Sequence, residues 1–196
     1  MVTDEILSEF EIVAHRGAEA AGSALTTLLG AHVTVLVNDV DRVSIEKIPE
    51  IVFDSEVECI GLVSRVLGDI KGNSILLFSE EDAVLLVEAL GSGVKCQTDF
   101  GELECSMLEE TANITISSFM NSMTFHLRHS CIPNAPSYQQ DISGAILSLL
   151  LMESAYEADK VIMFSTRFFC KSQDIKASFI FLPSPPSLRL IEEGLG

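Results

Sequence analysis

The sequence predicts an α+β fold of two homologous halves related by a pseudo-two-fold axis, with long helices packed on a largely antiparallel β-sheet. Three observations predict it. The stretch 69–91, "DIKGNSILLFSEEDAVLLVEALG", aligns without gaps onto 174–196, "DIKASFIFLPSPPSLRLIEEGLG", at an offset of 105 residues. Two long amphipathic patterns, in 5–29 and 103–125, match at an offset of 98. Apolar runs between the helical patterns show the period of strands, with Val33, Val35 and Val37 alternating. An offset of half the chain marks a duplication and not a solenoid period. The reading is therefore one domain over 1–196, with halves at about 1–91 and 99–196.

In chain order, the first long helix sets Leu7, Phe10, Ala14, Ala18, Ala21 and Leu25 on one stripe. A short strand through Val33–Val37 follows, then a second helix near 44–52. A hairpin of about 56–66 with 73–79 comes next, and its "DIKGN" connection carries a glycine suited to a turn. A helix ending in Leu-Gly closes the half. The second half repeats this plan. Its long helix, 99–125, buries Cys105, Leu108, Ala112, Ile116, Phe119 and Met123, and Asp99 with Glu102 has the spacing of a capping box. A helix near 141–154, a hairpin of 159–170 with 175–182 and a final helix follow. No linker composition separates the halves, so they are expected to share one sheet with helices covering its faces.

Composition narrows the function. With 47% hydrophobic residues the chain of 196 builds a substantial core. A net charge of −17 argues against nucleic acid and favours a partner with a basic rim. The longest apolar run, "AILSLLLM" at 145–152, is too short to span a bilayer. The N-terminus carries acid where a signal peptide needs base, so a cytoplasmic location without membrane insertion is expected. Cys59, Cys96, Cys105, Cys131 and Cys170 lack CxxC spacing and read as reduced, buried thiols. His126 and His129 stand three apart with no acidic partner pattern, so a solvent-facing or strand location is expected for them and no metal site is predicted.

The helix of the second half carries a feature on its other face. Ser106, Glu110, Asn113 and Ser117 fall opposite the buried stripe and form one polar row. Glu109 lies off that row, on the flank. Met107 and Ile114 edge the row with apolar side chains, as a docking surface would. The periodicity leaves two readings open: a solvated helix surface, or groups aimed at a partner's chemistry.

Ser106-x3-Glu110-x2-Asn113-x22-Pro136 resembles the (Asp/Ser)-x3-Glu-x2-Asn-x22-Pro pattern of the CheC/CheX/FliY chemotaxis phosphatases. The duplicated halves, the "GDIKG" hairpin, the final "EEGLG" and the overall length resemble the CheC branch over nearly the whole chain. CheX chains are shorter, and FliY chains carry an additional flagellar-switch domain that has no counterpart in this sequence.

The resemblance implies hydrolysis of the aspartyl phosphate on a phosphorylated CheY-type response regulator, in chemotaxis or related two-component signalling. Asn113 would orient the attacking water and Glu110 would reach the regulator's lysine. Ser106 and Pro136 would position them, and Met107, Ile114 and Ser117 would meet the partner. No cofactor of the chain's own is implied, since the regulator brings its Mg²⁺. CheD is a further partner the resemblance implies.

The first half departs from the pattern. Its motif positions hold Ser8, Ile12, His15 and Asn38, a degenerate second site without the glutamate, asparagine or proline. The alternative function is a non-catalytic adaptor that binds a response regulator, CheD or the flagellar switch. A small-molecule enzyme fits poorly, because no nucleophile–base pair or glycine-rich phosphate loop is present.

Overall fold

A computed structural model describes residues 4–44, 47, 56–91, 98–153, 160–171 and 173–194. Among them the order is α1 (Asp4–Leu29), β1 (Val33–Ser44), β2 (Glu58–Gly68), β3 (Gly72–Ser79), α2 (Glu80–Leu90), α3 (Glu102–Leu127), β4 (Cys131–Pro133), β5 (Ser137–Ile142), α4 (Ser143–Glu153), β6 (Lys160–Cys170), β7 (Gln173–Pro183) and α5 (Pro185–Gly194). The α+β fold expected from the sequence is the fold observed.

The seven strands form one sheet in the order β1-β6-β7-β3-β2-β4, with β5 continuing beside β2. Every neighbouring pair is antiparallel. The two hairpins meet at the centre through β3 and β7. Each half's first strand crosses to the other half's hairpin: β1 pairs β6, while β4 and β5 pair β2. The halves are thus interleaved in a single sheet.

The pseudo-two-fold axis extends to individual hydrogen bonds. Ser79 caps α2 by accepting from Asp82 N–H at 3.0 Å, and Asp82 Oδ1 accepts from Lys176 N–H at 2.9 Å. At the matching place Ser184 Oγ lies 2.9 Å from Ser187 Oγ, which accepts from Lys71 N–H at 2.7 Å. Each half's closing helix is therefore pinned to the other half's hairpin, at Lys176 of β7 and at Lys71 in the turn before β3. Likewise Thr26 Oγ1 and Thr124 Oγ1 each accept, at 2.9 Å, the first N–H of the strand after their helix, from Val33 and Cys131.

Strand alternation divides the core between the two sheet faces. Phe179 and Phe181 of β7 join α1, α2 and α3 in the larger cluster, whereas Ile180 and Leu182 face Ile146 and Leu147 of α4. Phe119 of α3 sits 4.8 Å from Phe179 and 5.7 Å from Phe164, ring centre to ring centre. Gly17 lets α1 approach α3: a Cβ there would lie 2.9 Å from Phe119 Cα. The two helices run antiparallel, with His126 Nε2 at 2.7 Å from Glu9 Oε2 and Ser122 Oγ donating to Val13 O at 2.9 Å.

The structure corrects three local expectations. The Asp99/Glu102 capping box does not form, because α3 begins at Glu102 with Gly101 as its cap and no side-chain cap bond. Glu102 and Glu104 in the first turn still complement the helix dipole. The strand after α1 is long, since β1 pairs with β6 from Val33 to Ser44. His126, read as solvent-facing or on a strand, is instead helical and tied to Glu9. The helix expected near 44–52 falls almost wholly outside the described residues, as does Cys96.

Candidate functional site

α3 is continuous for 26 residues, and its polar row is held by a rigid scaffold. Leu108, Ala112, Ile116, Phe119, Met120 and Met123 are buried beneath it. Thr111 and Thr115, buried mid-helix, donate back to the Met107 and Thr111 carbonyls at 2.8 Å, which satisfies both hydroxyls inside the helix. On the opposite side Ser106 and Glu110 are exposed, while Asn113 and Ser117 are half-buried. The four residues of the row thus all reach the surface, Asn113 and Ser117 less than Ser106 and Glu110.

Met107 and Ile114 are placed less openly than the sequence implied. Both are half-buried and pack against the core, so they border the row more than they project from it. The fully projecting apolar side chains of α3 lie at its ends: Leu103 is 70% exposed and Phe125 is 77% exposed. Sequence reading missed both, although each lies on the same helical face as Glu110.

Pro136 is buried in the corner between β4 and β5. Pro133 pairs with Val66 and Ser137 with Val63, so residues 134–136 oppose only Ser64 and Arg65. This is a β-bulge, and proline suits it because the ladder is interrupted there. Asn134 N–H donates to Arg65 O at 2.8 Å and Ser64 Oγ donates to Asn134 O at 2.6 Å. Glu109 reaches the same corner, its Oε1 accepting from Tyr138 N–H at 3.1 Å.

The first half repeats the bulge with different residues. Val37 pairs with Thr166 and Asp39 with Ser165, leaving Asn38 as the extra residue at the place of Pro136. Ser8 lies on α1, Ile12 is 42% exposed, and His15 and Asn38 are exposed. Beside them a groove of about 600 Å³ runs between α1 and β1, lined by His15, Glu19, Ser23, His32, Thr34 and Leu36 among others.

Electrostatics bear on which groups can act. Burial pushes the Cys59 thiol up to about 12, helped by Asp141 and Glu80, and the Cys131 thiol up to about 11. Cys105, next to Ser106, is also raised, by burial first and then by Glu109 and Glu104. Burial likewise raises Cys170. None of these four is an activated thiolate. Among the described residues no group of three or more His, Cys, Asp or Glu is arranged to hold a metal ion. Among them, too, no helix is long and apolar enough to cross a membrane.

No protein-family model matches the chain. The whole chain aligns with 96% of the CheY-P phosphatase CheC of Bacillus subtilis at 24% identity over 200 residues. In fold it is similar to Thermotoga maritima FliY, with a TM-score of 0.73 at 15% identity over 100% of this chain and 98% of that one. The FliM middle domain from H. pylori gives the same TM-score, 0.73, at 12% identity, covering 98% of this chain and 99% of that one. The duplicated scaffold and the full-length likeness to CheC point the same way: over its whole length the chain is similar to the chemotaxis phosphatases of the CheC/CheX/FliY kind.

Proposed function

We propose that the chain hydrolyses the aspartyl phosphate of a phosphorylated CheY-type response regulator, with Glu110 and Asn113 as its working residues. One observation carries the reading. Glu110 and Asn113 lie on one solvent-facing side of a rigid helix whose flank is bonded to the corner holding Pro136. The full-length likeness to a CheY-P phosphatase supports it.

The chemistry asks little of the protein and much of its geometry. An aspartyl phosphate is an activated mixed anhydride, so a water held in line with the phosphorus–oxygen bond suffices to break it. Water adds to phosphorus, the aspartyl carboxylate leaves, and inorganic phosphate is released. A carboxamide oxygen accepts a hydrogen bond from the water and aims the water's lone pair at phosphorus without becoming charged. Asn113 is half-buried, which restricts the orientations of its amide. Glu110 is exposed and free to cross the interface, where a charge-assisted bond to the regulator's phosphate-contacting lysine would dock the helix. The Mg²⁺ at the phosphoryl group belongs to the substrate regulator.

The test is the lifetime of a phosphorylated regulator. Asn113→Ala is expected to lower the dephosphorylation rate constant about a hundredfold with regulator affinity kept. Glu110→Ala is expected to weaken regulator binding about tenfold as well. A lifetime unchanged by the wild-type protein would sink the phosphatase reading.

A second reading rests on a separate observation. The FliM middle domain has this fold, and α1 carries Ser8, Ile12 and His15 where α3 carries Ser106, Glu110 and Asn113. A non-catalytic adaptor for a response regulator, CheD or the flagellar switch would bind its partner equally well with Asn113 or Ala at that position. Stable binding without hydrolysis would select this reading.

A further inference from the structure

The row of Glu110 and Asn113 leaves Glu109 unaccounted for. This carboxylate is one residue out of register and half-buried, where most glutamates face water. Its Oε1 accepts the Tyr138 N–H at 3.1 Å, which carries the side chain from α3 across to β5. Tyr138 lies two residues beyond Pro136. The other end of the bulge is pinned to β2 through Asn134, Arg65 and Ser64. β2 thus fixes the corner within the sheet, and Glu109 fixes it to the helix that carries Asn113. Glu109 and Asn113 are four residues apart, one helical turn, and share a flank of α3. The Tyr138 ring is held on this side by Phe100, 6.3 Å away edge to face, and by its hydroxyl donating to Gln140 Oε1 at 2.8 Å.

The first half offers an internal comparison. Glu11 stands 98 residues before Glu109, so it is the counterpart of Glu109 and not a displaced Glu110. There the carboxylate is exposed, the tyrosine position is Val40, and the bulge holds Asn38. Where the Glu-Asn pair of the row is absent, a glutamate is still present but stands in solvent.

We infer that Glu109 is a positioning residue of the site: by holding the Tyr138 amide it seats the Pro136 corner against α3 and fixes how the Asn113 amide is presented. The inference rests on the phosphatase reading above. Its signature is a loss in turnover and not in regulator affinity. A glutamine should restore the function, because its carbonyl oxygen accepts the same N–H at the same reach.

Glu109→Ala, Glu109→Met and Glu109→Gln in the full chain would be compared with wild type in two measurements. One is dephosphorylation of a CheY-type regulator, resolved into kcat and KM; the other is backbone amide exchange at Tyr138. Ala and Met are expected to lower kcat about tenfold with KM within about twofold, and to speed exchange at Tyr138. Gln is expected to recover both. Met keeps the packing volume, so it carries the test if Ala alters folding. Wild-type kcat with faster exchange would overturn the positioning role, and unchanged exchange would overturn the contact itself. A wild-type chain that fails to shorten the regulator's phosphorylated lifetime would overturn the phosphatase reading and the catalytic consequence with it. The exchange result would still stand as a separate finding about the corner.

Discussion

Two adjacent glutamates on α3 take different parts because one residue turns a helix by about 100°. Glu110 faces solvent beside Asn113, while Glu109 is drawn into the β4–β5 corner. A single carboxylate also ties down the turn before β3. Asp69 Oδ2 accepts from Ser130 N–H at 2.9 Å and from Ser130 Oγ at 2.8 Å. These bonds, the backbone N–H first, hold its carboxyl below the ordinary value of 3.8. A carboxylate depressed on folding stabilises above its unfolded value, and that contribution is lost as pH falls through the lower folded value. Asp69→Asn is therefore expected to lower the thermal midpoint near pH 7, with the gap to wild type closing as pH drops below 3.8. Melting both proteins across a pH series checks it, and a gap that widens in acid would contradict it. The row on α3 was legible from sequence because side-chain direction follows the helical period. The partner of Glu109 was not, since it lies 29 residues away across an unforeseen bulge.

The antiparallel crossing of α1 and α3 sets how the row is supported, and it depends on Gly17. A Cβ there would meet Phe119 Cα at 2.9 Å, and a backbone atom in a packed helix cannot step aside as a side-chain tip can. Overpacking of this kind costs about 1–3 kcal/mol, against a gain of at most about 1 kcal/mol from replacing a helical glycine. Gly17→Ala is expected to destabilise on balance, read as a lower denaturant midpoint with an unchanged slope. Both long helices were legible because their buried stripes repeat over many turns, from Phe10 to Leu25 and from Leu108 to Met123. The start of α3 was misread because Asp99 and Glu102 satisfy a pattern that backbone geometry does not use; the chain enters through Gly101. The full length of β1 was hidden because Asn38, Asp39 and Asp41 interrupt the alternation on an edge strand, where charged and polar side chains are expected.

At the scale of the molecule, the exchange of first strands joins the halves more firmly than any interface between separate lobes. β1 is completed by β6, β4 and β5 by β2, and each closing helix is bonded to the opposite hairpin. Unfolding is therefore expected as one transition, with amide protection in β3 and β7 lost together with the far-ultraviolet helical signal. Separate transitions for the two halves would contradict the interleaving. The duplication itself was legible from the offsets of 98 and 105, but not the exchange, because a repeat in sequence does not say which copy completes which strand. That exchange bears on descent as well as stability. A half-length chain with this element order would find a partner for its first strand only in a second copy of itself. Tandem fusion turns such a swapped dimer into one molecule, in which assembly no longer depends on protein concentration. The surface residues of the two long helices are then free to differ, as those of α1 and α3 do, while each helix and strand still completes the other half.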